Sequence, residues 1–194
     1  MARAPSSCRI RSTSIVDVPR AELLARLSRA LRDVPDFPKP GIVFKDITPV
    51  LADATLFAET TAAMAAPYHG RGITHVAGIE SRGFILAAPI AQALGAGFVP
   101  IRKSGKLPWR SVGKEYALEY GTDRLEMHVD ACTTDSQVLL VDDVLATGGT
   151  AAAACALIED VGGRVVGCSF LLAIAALRGH ERLRGRSLDV LVVA

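Results

Sequence analysis

The 194-residue sequence has no long hydrophobic run and little excess charge of either sign. Its longest apolar stretch free of charge, Val165–Leu177, is shorter than the roughly 20 residues that a helix needs to cross a bilayer. The formal net charge of +2 is too small for the basic surface that is typical of a nucleic-acid-binding domain. We therefore expect no membrane partner and no nucleic-acid partner.

Cysteine is also scarce, and the four cysteines form no CxxC pair and no metal-like cluster with the histidines. Reduced thiols are the simplest interpretation, so we expect a cytoplasmic protein. The first 20 residues hold four arginines and no apolar segment, a composition unlike that of a secretory signal. We expect residues 1–20 to be a flexible extension and residues 21–194 to form one domain.

Half of the residues are hydrophobic and only 5% are aromatic, which is typical of helices packed on a buried sheet. Apolar runs that do not alternate, such as Val138–Val141, predict strands that are buried on both faces. Because helical segments separate these runs, the sequence predicts an α/β fold with a central parallel sheet flanked by helices. The predicted helices are Ala21–Val34, Ala54–Tyr68, Phe84–Leu94 and Thr150–Val161, and the predicted strands are Ile73–Ile79, Phe98–Ile101, Val138–Val141, Val165–Leu172 and Leu188–Val193.

The regular pattern is interrupted between Lys103 and Leu125. This segment contains three glycines, five basic residues and two of the three tyrosines. A loop of this length is usually a lid or a disordered segment, and the charges and tyrosines favour a lid. We therefore predict a flexible lid loop over about residues 103–125.

The segment from Val138 to Thr150 carries the clearest chemical signal. A buried strand delivers two adjacent aspartates, and a turn rich in threonine and glycine then opens a helix. Glycine lets the backbone approach an anion closely, and the free N–H groups of a first helical turn point at it. The sequence has no GxxxxGK[ST] motif, so a single phosphate monoester is the expected ligand. The predicted phosphate-binding residues are Ala146, Thr147, Gly148, Gly149 and Thr150.

Asp142 and Asp143 are two like charges beside an anion site, an arrangement that raises one pKa or requires a cation. A ligand that brings a cis-diol, a phosphate and Mg²⁺ satisfies both aspartates, and ribose 5-phosphate has those groups. An acidic strand end with an ordinary helix cap is the alternative interpretation. The adjoining threonine and glycine residues favour the sugar phosphate.

This segment resembles the phosphoribosyl pyrophosphate motif of the type I phosphoribosyltransferases. Four further segments resemble the adenine-specific members of that family and occur in the family's order. These are Phe37–Pro49, Gly78–Phe84, Arg102–Pro108 and Tyr116–Gly121. The resemblance implies the type I phosphoribosyltransferase fold, with a small N-terminal hood over about residues 21–50 and a catalytic lid. It also implies a homodimer and a glycosyltransferase activity in purine salvage, in which adenine and phosphoribosyl pyrophosphate give AMP and pyrophosphate.

Displacement of pyrophosphate through an oxocarbenium-like transition state needs cations around the leaving group. The candidates for this role are Arg82, Arg102, Lys103 and Lys106. Asp142 and Asp143 are candidate catalytic residues at the ribose. Mg²⁺ is expected to bind through the substrate, with no direct protein ligand assigned.

By the same resemblance, Val43, Phe44 and Lys45 contact adenine together with Arg82. Glu119 is the candidate acid or base that relays the adenine N9 proton. The neighbouring lid tyrosines, Tyr116 and Tyr120, are expected to exclude water.

Two alternatives remain open at this point. One is a phosphoribosyltransferase for another base, and the other is a non-catalytic regulator that senses phosphoribosyl pyrophosphate. The chain also departs from the family pattern at Trp109 and Arg110, at Ala173 and at its C-terminus, which bears on the lid and on subunit contacts.

Overall fold

A computed structural model describes residues 19–118 and 121–194, with only the backbone at residues 117, 118 and 121. All but the last two residues of the predicted extension lie outside this range. The helices are α1 (Arg20–Ala30), α2 (Thr48–Ala52), α3 (Ala54–Ala65), α4 (Arg82–Leu94) and α5 (Gly149–Asp160). The strands are β1 (Arg32–Pro35), β2 (Val43–Asp46), β3 (His75–Ile79), β4 (Gly97–Lys103), β5 (Ser111–Leu118), β6 (Gly121–His128), β7 (Gln137–Leu145), β8 (Arg164–Ala173) and β9 (Leu188–Val193). Short 3₁₀ turns occupy Ala66–Tyr68, Ala175–Leu177 and Gly179–Leu183.

Seven strands of the described chain form the main sheet, in the order β5-β6-β4-β3-β7-β8-β9. Five of these strands, β4, β3, β7, β8 and β9, run parallel to one another. At one edge, β6 runs antiparallel to β4, and β5 runs antiparallel to β6. The predicted α/β fold is confirmed, although the sheet is mixed at that edge. The carboxyl ends of the parallel strands meet on one side, where ligands bind in sheets of this type.

Strand β7 lies at the centre of the fold and is buried on both faces. Leu139 and Val141 pack in one apolar core with residues of α1, α3 and α4. Val138 and Leu140 pack in a second core with residues of α5 on the opposite face. This two-sided burial explains why the run is hydrophobic at every position.

The N-terminal hood differs from the prediction that a helix spans Ala21–Val34. Helix α1 ends at Ala30, and Leu31 is already extended with a ψ angle of 128°. The next four residues form β1, which pairs antiparallel with β2. The residue before a proline avoids the helical region, so Pro35 disfavours a helix through Val34.

The predicted lid loop also differs from the structure, because most of it forms a β-hairpin. Strands β5 and β6 pair in register from Ser111 opposite His128 to Leu118 opposite Gly121. The alternation that marks a strand is present in β6, where Leu125 and Met127 are buried and their neighbours are more exposed. The expectation of a loop over residues 103–125 was therefore wrong. The role of this segment as a lid stays a prediction. No described helix has both the length and the apolar character needed to cross a membrane.

Candidate active site

A cleft of about 770 Å³ lies at the carboxyl ends of β3, β4 and β7. The hood borders it through β2, and the β5–β6 hairpin borders it on another side. Ten of the residues predicted from the sequence line this cleft. They are Val43, Phe44, Lys45, Arg82, Lys103, Tyr116, Asp142, Asp143, Ala146 and Thr150. The strand ends therefore bring together residues that are up to 107 positions apart in the chain, from Val43 to Thr150.

The turn after β7 forms a second, smaller cavity of about 70 Å³ beside the cleft. Thr147 and Gly148 line this cavity, and Ala146 and Thr150 line both cavities. Gly148 is the N-cap of α5 in a left-handed conformation, with a φ angle of 78°. The first turn of α5 begins here, with the bond from the Ala152 N–H to the Gly148 carbonyl at 2.9 Å. The N–H groups before Ala152 precede the helical ladder and are oriented to bind an anion.

Asp142 borders both cavities and is held in place by local contacts. Its Oδ1 accepts a hydrogen bond of 2.9 Å from the Asp143 N–H. A Cβ atom on Gly83 would lie 2.7 Å from the same oxygen, so a glycine is needed where α4 approaches Asp142. Burial of the carboxyl group, and then the charge of Asp143, raise the pKa of Asp142 well above its ordinary value.

Arg82 connects Asp143 at the base of the cleft with the hood. Its Nε lies 2.5 Å from Asp143 Oδ2, and the Asp143 side chain is only 6% exposed. That oxygen accepts no hydrogen bond of good geometry from a described residue, so the contact with Arg82 is mainly electrostatic. The guanidinium also lies 4.8 Å from the ring centroid of Phe44, and Phe37 packs edge-on against that ring at 5.2 Å.

The predicted pyrophosphate-binding cations do not all face the cleft. Lys103 lines it, and its Nζ lies 3.4 Å from Asp123 Oδ2. Arg102 instead pairs with Glu80, with Nε 3.2 Å from Oε2, and donates a 2.8 Å hydrogen bond to the carbonyl of Lys106. Arg102 and Lys106 therefore lie outside the cleft lining in this conformation.

Eight further residues line the cleft that were not predicted as site residues, and three of them, Asp123, Ile174 and Leu177, lie outside every segment that the sequence analysis assigned to substrate binding. Asp123 accepts a 3.2 Å hydrogen bond from the Tyr116 hydroxyl and forms the ion pair with Lys103. Asp123 lies on the same face of β6 as the buried residues Leu125 and Met127. This spacing of two residues was the sequence pattern that could have indicated a strand here. No sequence pattern indicated that Ile174 and Leu177 line the cleft, because they reach it only through the packing of the segment after β8.

The hairpin contributes Tyr116 to the cleft and lies along α5. Lys114 Nζ donates a 2.7 Å hydrogen bond to Asp160 Oδ2 at the end of that helix. Burial raises the pKa of the Tyr116 phenol, so it is protonated at neutral pH and can donate its hydrogen bond. Glu119 and Tyr120, the other two predicted lid residues, lie outside the described residues.

Comparisons with known proteins cover most of the chain. Residues 51–191 match the family model described as Phosphoribosyl transferase domain, which includes the strands and the turn that form the cleft floor. An adenine phosphoribosyltransferase of Myxococcus xanthus is 61% identical over 161 residues, which cover 83% of this chain and 88% of the relative. The adenine phosphoribosyltransferase of Rhodothermus marinus has a crystal structure that matches with a TM-score of 0.86 at 50% identity, covering 90% of this chain and 99% of that one. The adenine phosphoribosyl transferase of Trypanosoma brucei, solved in complex with AMP, pyrophosphate and ribose-5-phosphate, matches with a TM-score of 0.81 at 26% identity, covering 92% of this chain and 81% of that one.

Proposed function

This chain belongs to the adenine phosphoribosyltransferase family, and we propose that its cleft carries out the reaction of that family with the residue roles given below. The reaction joins adenine to phosphoribosyl pyrophosphate and gives AMP and pyrophosphate, which makes the chain a glycosyltransferase of purine salvage. The observation that best supports this proposal is that the two cavities meet at Asp142, Ala146 and Thr150. A small anion site opens there into a cleft large enough for a sugar, a base and a second anionic group.

The turn after β7 binds the 5′-phosphate. The N–H groups of Gly149 and Thr150 belong to the first turn of α5, where the helix dipole favours negative charge. Thr147 and Thr150 add hydroxyl donors. Gly148 keeps the turn close to the ligand because its positive φ and its position admit no side chain.

Asp142 and Asp143 hold the ribose. Each carboxylate accepts a hydrogen bond from a hydroxyl of the cis-diol, next to the phosphate site. Asp143 lines the cleft next to Asp142, and Arg82 holds its carboxylate in place through the contact at Oδ2. Negative charge on this pair also stabilises positive charge as it develops on the sugar ring.

Lys103 is the cation best placed to bind the pyrophosphate, since it lines the cleft and is 57% exposed. Arg82 adds a positive charge in the same cleft. A pair of unit charges at about 4 Å is worth on the order of 4 kcal/mol at intermediate dielectric before desolvation. Pyrophosphate binding by Arg102 and Lys106 stays a prediction. It requires the turn between β4 and β5 to move toward the ligand.

Adenine binds against the hood, beside the contact between Phe44 and Arg82. Strand β2 pairs with β1 along one edge, so the backbone of Val43 and Lys45 can offer donors and acceptors to the base along the other edge. Phe44 and the Arg82 guanidinium supply flat surfaces for stacking. Ile174 and Leu177 add apolar contacts at the same cleft.

Glu119 is proposed as the acid or base that relays the N9 proton, in agreement with its position between β5 and β6. The hairpin is proposed as the lid that excludes water from the sugar cation. Tyr116 already lines the cleft in the described conformation and is consistent with this role. The role of Tyr120 stays a prediction.

Mg²⁺ is proposed to bind through the substrate. Carboxylate oxygens are suitable ligands for Mg²⁺, and Asp142 and Asp143 place such oxygens in the cleft. The ion is then held mainly by oxygens of the pyrophosphate and the ribose. When bound, Mg²⁺ would neutralise charge on the leaving group.

The predicted homodimer is proposed to form through an exposed apolar groove beside α4. Ile85 and Phe98 are 43% and 39% exposed, and they line this groove with Phe57 and Pro89. Exposed apolar surfaces of this kind mark protein interfaces, and one self-complementary patch on each copy suffices for a two-fold dimer. The cytoplasmic location expected from the cysteines stays a prediction.

The deciding experiment is AMP formation from adenine and phosphoribosyl pyrophosphate, with and without Mg²⁺. Hypoxanthine, guanine and orotate serve as competing bases. Preference for one of these bases would favour a sister enzyme. Tight binding of phosphoribosyl pyrophosphate without any turnover would favour a regulator instead.

A further inference from the structure

The segment from Ile174 to Gly179 passes directly behind the phosphate turn. A Cβ atom on Gly179 would lie 2.2 Å from the carbonyl oxygen of Ala146 and 2.9 Å from the nitrogen of Gly148. A Cβ atom on Gly148 would in turn lie 2.3 Å from the Gly179 carbonyl oxygen. The two backbones are therefore in contact with no side chain between them.

This segment is fixed at its own ends, so it gives the turn a firm support. The Ile174 N–H bonds to the Leu145 carbonyl at 3.0 Å, and the Ala175 N–H bonds to the Ala194 carbonyl at 2.7 Å. Beyond Gly179, the Leu183 side chain is only 2% exposed and packs in the core that contains α5. The support cannot move away from the turn without breaking these contacts.

The contact matters because the turn binds its ligand with backbone groups. The directions of the N–H groups at the start of α5 depend on the path of the chain from Ala146 through Gly148. A side chain on Gly179 would push against backbone atoms of that path, and backbone atoms give way less easily than the end of a flexible side chain. The N–H groups would then no longer converge on one phosphate.

We propose that Gly179 is a positioning residue for the 5′-phosphate of the substrate. It acts through Ala146 and Gly148 and does not touch the ligand. The same segment reaches the base side of the cleft through Ile174 and Leu177, so it links the phosphate and base ends of the site. This inference rests on the proposed function of the turn.

The test is the variant Gly179→Ala, with Gly185→Ala as the matched control. Gly179 does not have a positive φ, so alanine there introduces the steric conflict without backbone strain. Gly185 has a φ angle of +83°, and a methyl group added there would meet no atom within 4 Å, so alanine at this position introduces strain without a conflict. The two variants separate loss of positioning from general loss of stability.

We expect Gly179→Ala to raise KM for phosphoribosyl pyrophosphate by about tenfold or more, with kcat within about threefold of wild type. The melting-temperature increase on adding ribose 5-phosphate should shrink in parallel. Gly185→Ala should lower the melting temperature and leave KM unchanged. An unchanged KM in Gly179→Ala, or an equal rise in both variants, overturns the proposal.

Hydrogen exchange of the wild-type protein provides a test that needs no variant to fold. Ribose 5-phosphate should slow exchange in residues 175–183 as well as in residues 146–151, because the support and the turn behave as one unit. Slowing confined to 146–151 overturns the proposal. Wild-type protein that neither binds ribose 5-phosphate nor forms AMP overturns the proposed function, and this role with it.

Discussion

Arg82 and Asp143 form an ion pair inside the cleft, with the Nε and Oδ2 atoms 2.5 Å apart. The same guanidinium covers the ring of Phe44, which belongs to the hood. One side chain therefore links the acid proposed to bind the ribose to the surface proposed for the base. A change at Arg82 should alter the binding of both parts of the substrate, and the base should be affected more.

Arg82→Lys keeps the positive charge but loses the flat surface over Phe44. We expect KM for adenine to rise by about three- to tenfold, since stacked cations contribute roughly 0.5–1 kcal/mol at exposed sites and more when desolvated. Steady-state kinetics with varied adenine measures the change. Arg71→Lys is the control, because Arg71 lies 5.2 Å from the Tyr68 ring centroid and does not line the cleft. Equal KM values in the two variants would argue against stacking at Arg82.

Asp142→Asn should stabilise the fold while it removes activity. The raised pKa means that the folded state binds the Asp142 proton more tightly than the unfolded state, so stability falls as pH rises through the ordinary and then the raised pKa. Asparagine does not titrate, so the variant lacks this dependence of stability on pH. At pH 8 the variant should melt at a higher temperature than wild type, by roughly 2–4 °C for each kcal/mol gained in the free energy of unfolding. The difference in melting temperature should become smaller toward pH 5. Calorimetry at several pH values measures this, and identical pH slopes would contradict it.

Lys103→Ala should raise KM for phosphoribosyl pyrophosphate by about tenfold, because it removes the cleft-lining cation proposed to bind the pyrophosphate. Lys106→Ala is the matched comparison, since the sequence predicted the same role for Lys106 but the structure places it outside the cleft lining. A smaller effect in Lys106→Ala is expected. A larger one would show that the turn between β4 and β5 rearranges on binding.

Glu119→Gln should lower kcat far more than it raises KM for phosphoribosyl pyrophosphate. Proton transfer by a positioned group contributes about 10²–10⁴-fold, so a fall in kcat of about a hundredfold or more is expected. The dependence of kcat on pH should flatten on its acidic side. Turnover equal to wild type would remove Glu119 from the mechanism.

Ile85→Glu should convert the proposed dimer to a monomer, because it places a charge in the apolar groove beside α4. Light scattering after gel filtration measures the mass. Val129→Glu is the control, since Val129 is similarly exposed at 39% but does not line that groove. A wild-type monomer, or a dimer that survives the Ile85 change, would place the interface elsewhere.

The turn proposed to bind the phosphate could be located from the sequence because all its parts are neighbours in the chain. Strand β7, the acids and the turn follow one another from Gln137 to Thr150, so local rules for strands, glycines and helix ends were sufficient. The resemblance to a family then supplied the residues of the hood and Arg82. Those residues converge on the same cleft in the structure.

The rest depended mainly on packing between segments that are distant in the chain. Asp123 reaches the cleft because β6 pairs with β4, whereas the sequence pattern predicts a loop in that segment. Leu177 and Gly179 matter because the chain after β8 folds back against the turn after β7. The helical spacing of Leu27 and Leu31 predicts a helix where β1 forms, and the pairing of β1 with β2 outweighs it. Pro35 was a local sign against that helix.

The position of β7 between two cores has a consequence for how this enzyme can change over evolution. The acids at its end cannot shift without repacking both faces of the sheet, so the contacts proposed for the sugar are held in place by the core. The base, in contrast, is proposed to contact β2, which lies outside the main sheet. Substitutions there can retune which base is accepted and leave the sugar chemistry intact.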